Sequence, residues 1–422
     1  MKRFILLALL TLSLGSIRQQ QATQARQPAS KSDVLLIDWS PDGSHVALSA
    51  ADGIRLYDSN FQPTGFFPYT VDQNSRDYIT PFGFWSPDGT RLTAGSVILD
   101  AKTLQPIVTT KASVPLIQWS PDGKYISTLS LDGLNIERYN AQIGNLEDTI
   151  SAISSSGTQS SGVPIPNPDG SRFVLNGGDA IEVVDAANKT LARYQYPYRI
   201  NVLRLSPDGR RIAYQSTQTV PISTPGSLPK AGTNEWGTLV YTFIIDAATG
   251  KTLMQSEPLN TLPAGLTWSP DGTQLAGNLA LRAVVIWDTA TGKVIDTYSL
   301  PAGKGVTLFT YSPFSGRLTL GIQDLSVSGI TVNTTGMPVS TFNQVFLDGT
   351  IQVIVPAPSL EKLKTIAERC KVQPAVQQML TAQIQSKQLP TFIQQVSALT
   401  DTQILPGCKA DLLAVAQALQ AK

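Results

Sequence analysis

The pentapeptide Trp-Ser-Pro-Asp-Gly stands at 39–43, 85–89, 119–123 and 268–272, and looser copies stand at Pro166-Asn-Pro-Asp-Gly170, Leu205-Ser-Pro-Asp-Gly209 and Tyr311-Ser-Pro-Phe-Ser-Gly316. A turn sequence that returns at intervals of roughly forty residues restricts the chain to a repeat architecture, because one such unit buries its apolar surface only against other copies. Within the turn, Pro presets φ for the first central position, Asp accepts from nearby amides, and Gly takes the left-handed conformation that closes a hairpin. A second mark runs in parallel: a bulky apolar residue followed by Asp or Asn, at Tyr57-Asp58, Leu99-Asp100, Tyr139-Asn140, Val184-Asp185, Ile245-Asp246, Trp287-Asp288 and Val332-Asn333. Both marks count seven units.

Apolar runs on either side of each turn read as short antiparallel strands. In the sixth unit these are Leu266-Thr-Trp268, Gln274 to Gly277, Ala283 to Trp287 and Val294 to Tyr298. Four strands make a blade, and the Val, Ile and Leu runs that lack alternation suit inner strands buried on both faces. The fold class expected is therefore all-β, a seven-bladed β-propeller of four-stranded antiparallel blades over residues 33–356, with each Trp wedged between neighbouring blades. Ile330 to Asn333 is read as the third strand of the seventh blade. Val345 to Val355 reads as one further hairpin that helps to close the ring, since no obvious strand precedes Val34 to complete the last blade.

Trp287-Asp288-Thr-Ala-Thr-Gly-Lys293 resembles the repeat of the WD-repeat β-propellers, and the Ser-Pro-Asp-Gly turns are similar to those of the periplasmic propeller of the Tol system. The resemblance implies a binding surface more than a chemistry. The Gly-His pair of the WD repeat is missing from every unit, so the hydrogen-bond network of that family does not carry over.

The two ends have other characters. Met1-Lys-Arg3 followed by an apolar run from Phe4 to Leu14 has the shape of a secretory signal peptide over 1–16, too short to span a bilayer, and 17–32 is a Gln-rich polar linker. From 357 to 422 the apolar period becomes helical. Ser359 is placed as an N-cap before a first helix, further helices follow over Pro374 to Lys387 and Pro390 to Leu399, and a last one follows Gly407. Cys370 and Cys408, the only cysteines, lie in this helical domain. In an exported chain they are expected to form a disulfide.

Function is bounded mainly by exclusion. With 32 basic and 31 acidic side chains, net charge +1, and no basic run, nothing favours nucleic acid. His45 is the only histidine, which removes a Ser-His-Asp hydrolase and a His-ligated metal centre; it is expected as an exposed strand residue. The turn aspartates Asp42, Asp88, Asp122, Asp169, Asp208 and Asp271 have a structural task and sit on separate blades, so no metal or other cofactor is expected. The expected function is an extracytoplasmic protein–protein interaction scaffold. It would be exported to the periplasm or beyond the cell and act as a monomer on an envelope or secreted partner, with no membrane span once the signal is removed. The alternative is a propeller-type small-ligand binder, or a metal-dependent hydrolase with carboxylate ligands. In the resembled propellers the second-to-third and between-blade loops share one face, and irregular sequence concentrates in those loops here, the longest being Thr217 to Gly237. Tyr78, Tyr198, Arg199 and Trp236 are the expected contact residues there.

Overall fold

In the computed structural model the chain forms seven antiparallel blades in a ring, followed by four helices. The structure describes residues 34–421 apart from 70–82, 153–163, 222–235, 261–264, 325–330, 333–337, 340–349 and positions 51, 117, 186, 197, 258, 280, 281 and 371. The signal peptide and linker expected over 1–32, and Tyr78, lie outside the described residues.

The sixth blade shows how one repeat becomes one sheet. Leu266–Trp268, Gln274–Leu279, Ala283–Asp288 and Val294–Ser299 pair in that order. At the first turn Gly272 adopts φ +70°, Ser269 Oγ donates to Asp271 Oδ1 at 2.5 Å, and the Gln274 amide donates to Ser269 Oγ at 2.8 Å. The third strand is buried on both faces except at its terminal Asp288, whereas the fourth alternates and faces solvent. That contrast explains why the inner strands read as continuous apolar runs.

Three blades depart from expectation. The second has three strands, Arg91–Ala94, Val97–Asp100 and Pro106–Thr109, with its first strand reduced to a bridge between Trp85 and Leu92. In the fifth, the two central strands run eleven residues each, Arg211–Pro221 against Trp236–Asp246, so the two ends of the expected insertion pair as a β-ribbon, while 222–235 lie outside the described residues. In the seventh, Leu318–Asp324 pairs with Thr350–Ile354, which corrects the assignment of Ile330 to Asn333 as third strand; Thr331–Val332 pairs instead with Pro338–Val339. The alternation in Thr350–Ile354 accounts for the exchange. Ile351 and Val353 pack with Ile37 and Trp39 of the first blade, and Ile354 packs within the seventh.

All four first-blade strands come from one continuous segment, and among the described residues no strand is exchanged between the first and seventh blades. The helices bridge that seam. They are α1 (Leu360–Arg369), α2 (Pro374–Ser386), α3 (Leu389–Ala398) and α4 (Pro406–Gln420). Ser359 caps α1, its Oγ accepting from the Lys362 amide at 3.0 Å. Cys370 and Cys408 are disulfide-bonded with Cα atoms 6.0 Å apart, tying the end of α1 to the first turn of α4. Gly407 lies inside α4 rather than before it. A Cβ there would collide with the Gly43 backbone, so the missing side chain lets the helix sit directly on the first blade's turn.

Candidate functional site

The turn aspartates share one arrangement. Ser40, Ser86, Ser120, Ser206 and Ser269 donate through Oγ to Asp42, Asp88, Asp122, Asp208 and Asp271, and the amide four residues after each Ser donates to the same carboxylate. In the fourth blade Asp169 accepts the Ser171 amide while Asn167 replaces the Ser. These bonds consume the carboxylates. At Asp122, the Ser120 hydroxyl and the Lys124 amide hold the acid below its ordinary value.

The seventh turn has Phe314 where the others have Asp, and Ser315, at φ +69°, where the others have Gly. Its carboxylate arrives from α4. Asp411, wholly buried, accepts from Ser312 Oγ and from the Gly316 amide at 2.9 Å, the same two donors that a turn aspartate takes. In return Phe314 is buried in the helical core with Leu363, Phe392 and Leu412. Sequence reasoning missed Asp411. The one signal was a turn with its acid missing.

Between blades a second rule operates. The residue five after the turn Ser covers the aromatic residue that opens the next blade's turn. Arg91 lies 4.9 Å from the Trp119 ring centroid, Arg211 4.9 Å from Trp268 and Arg317 4.8 Å from Trp39. Each also donates to a backbone or hydroxyl oxygen of that next blade: Arg91 to Gly123 O and Ala141 O, Arg211 to Gly272 O and Thr289 Oγ1, Arg317 to Ser59 O. Arg317 Nε also donates to Asp411 Oδ1 at 2.6 Å, which joins ring closure to helix docking. His45 is half-buried rather than exposed, and its ring lies 6.2 Å from that of Trp85, so it holds the equivalent place between the first two blades.

The seam between the third and fourth blades breaks this rule. Pro166 stands where five other blades carry Trp or Tyr and the fifth carries Leu205, and a cavity of about 440 Å³ opens among Trp119, Tyr125, Arg138, Pro166 and Phe173. A second hollow of about 540 Å³ lies at the turn-face mouth of the ring, where the turns of the first five blades converge. Asp38 is the ionisable side chain in its lining. Burial, partly offset by the Trp85 and Trp39 amides, pushes the Asp38 carboxyl up to about 7. Among the described residues no group of three or more His, Cys, Asp or Glu is placed to hold a metal ion.

On the opposite face, Tyr198 and Arg199 are exposed where the fifth blade's first strand begins, and Arg199 pairs with Thr217. Trp236 pairs with Pro221 four residues further up the ribbon, roughly 13 Å away at strand rise. Tyr198 and Arg199 thus share the ribbon's base, and Trp236 marks its far end.

The fold and the two seams define a seven-bladed β-propeller carrying a helical domain on one arc. No protein-family model matches the chain, and neither does any curated protein. Solved structures do. The chain is similar to hydrazine synthase of Kuenenia stuttgartiensis at 18% identity and TM-score 0.52, over 73% of this chain and 96% of that one. It is also similar to the β-propeller domain of Cps50 (Swd1) from Myceliophteria thermophila, at 11% identity and TM-score 0.53, over 71% and 96%. At such identities the likeness concerns the fold alone.

Proposed function

We propose that this protein is an extracytoplasmic protein–protein interaction scaffold, a rigid ring that presents binding surfaces and performs no chemistry of its own. The observation that carries this reading is the fifth-blade ribbon, whose register continues from Thr217↔Val240 to Pro221↔Trp236 beyond the last pairing with the blade's first strand. On the other side Leu239 and Val240 pair with Asn260 and Leu259. A ribbon with one covered edge and one running past its neighbour suits strand addition by a partner, with Tyr198 and Arg199 at its base to supply side-chain contacts. A disulfide in the helical domain favours an oxidising compartment, and no helix among the described residues is long and apolar enough to cross a membrane.

The test is capture from the native envelope by tagged protein, compared with a variant in which residues 219–238 are replaced by Asn-Gly so that Gln218 and Leu239 close a tight hairpin. The variant should lose the captured partner while its urea unfolding stays within about 1 kcal/mol of the parent. Undiminished capture by that folded variant would remove the ribbon from the interface.

A further inference from the structure

The open seam has a floor of unusual chemistry. Seven residues after each turn Ser or Asn, the second strand faces a third-strand residue that forms the wall receiving the residue that opens the next blade's turn, an aromatic group in five seams, Leu205 in the fourth-to-fifth and Pro166 in the third-to-fourth. Six of these partners are aliphatic: Leu56, Ile98, Val183, Ile244, Ile286 and Val353. The seventh is Arg138, opposite Ser127 in the third blade. Its guanidinium is held by Asp148 through Nε at 2.9 Å and a second nitrogen, and lies 4.8 Å from the Tyr125 ring centroid. Two changes therefore coincide at one place. Among the described residues no side chain fills the seam, and the aliphatic wall has become cationic.

The other seams show what such a space takes. Trp85, Trp119 and Trp268 each present a flat ring to the preceding blade and donate through Nε1 to the carbonyl just before that blade's own turn aromatic or its equivalent: Asp38 O, Phe84 O and Arg204 O. The carbonyl in that position for the open seam belongs to Gln118, which lines the cavity. We propose that the cleft between the third and fourth blades is a binding site for an indole group presented by a partner protein, a tryptophan side chain that completes the seam from outside. Tyr125 and Arg138 provide aromatic and cationic surfaces that reward an electron-rich ring over an aliphatic one. Gln118 O takes the N–H. The volume of about 440 Å³ exceeds the needs of a lone indole and leaves room for the flanking backbone of a peptide. This site lies on the turn face, away from the blade-five ribbon, and stands or falls separately from it.

The test uses full-length protein and end-blocked Gly-Trp-Gly, followed by saturation-transfer NMR on the peptide. Saturable binding is expected at or below about 1 mM, with end-blocked Gly-Leu-Gly at least about tenfold weaker. Pro166→Trp fills the cleft from within and should abolish binding. Tyr125→Ala removes the stacking wall and should weaken binding by about tenfold with the ring still folded, so the result does not depend on the bulkier substitution. Equal binding of the leucine peptide, or undiminished binding by folded Pro166→Trp or Tyr125→Ala protein, overturns the proposal. Indole binding as tightly as the tripeptide assigns the cleft to a free small aromatic and overturns the protein partner.

Discussion

The seam between the seventh and first blades and the seam between the third and fourth solve the same packing problem in opposite ways. At the first, the turn has lost its aspartate, yet Asp411 from α4 restores the carboxylate, Arg317 clamps Trp39, and Phe314 is taken into the helical core. At the second, Pro166 has replaced the wedge and no described residue fills the space. A defect at the closing seam of a ring endangers the whole ring, because among the described residues no strand exchange holds it there. A defect at an internal seam is spanned by continuous chain, so the fold tolerates it and a cleft results.

The largest expected effect breaks the sealed seam. Asp411→Ala leaves the Arg317 charge buried without its carboxylate and the Gly316 amide without its acceptor, and should cost about 3–5 kcal/mol in urea unfolding. The double variant Asp411→Leu with Arg317→Met should recover much of that loss, since it removes both charges together. Full additivity of the two single costs would show that the pair is not coupled.

Next comes the disulfide on the same side. Replacing Cys370 and Cys408 by Ser opens a loop of sequence separation 38, and the loop-entropy model puts the loss at about 3–4 kcal/mol. Thermal unfolding with and without reductant measures it, and the parent should fall to the level of the variant only when reduced. An unchanged midpoint would mean that packing alone fixes α1 to α4.

The open seam should respond in the other direction. Pro166→Trp restores the missing wedge and should stabilise by about 0.5–2 kcal/mol, read as a raised thermal midpoint. A lowered midpoint would mean that the cationic wall formed by Arg138 rejects the indole that the other seams accept.

The last effect concerns pH. Asp38 accepts the Trp85 amide at 3.1 Å across the seam between the first two blades. Its folded-state pKa stands at about 7 against an ordinary 3.8, so between those values the folded protein holds a proton that the unfolded chain releases. This contribution is fully present below the lower value and is lost as pH rises through the upper one. Asp38→Asn should therefore flatten the fall in urea midpoint between about pH 4 and about pH 7. An identical slope in the two proteins would assign the pH dependence to other groups.

The blades were legible because their determinants are local. Pro, Asp and Gly act within a five-residue turn, and an apolar residue before Asp288 marks the end of its own strand. Helix α1 was legible for the same reason, from Ser359 and the spacing of Leu363, Ile366 and Ala367. The third strand of the seventh blade was not. Two segments, 330–333 and 350–354, each have strand-forming composition, and only packing against Ile37 and Trp39 selects the second.

What the sequence by itself determined is the number of repeats, the turn chemistry, the strand order of the regular blades and the helical ending. Tertiary structure decided which seams are full. Asp411 replaces a missing turn aspartate from 99 residues beyond Ser312, and Arg138 turns one wall cationic only because strand pairing sets it opposite Ser127. Local pattern records what a residue does to its own backbone. It carries no mark of the distant surface that the same side chain will complete.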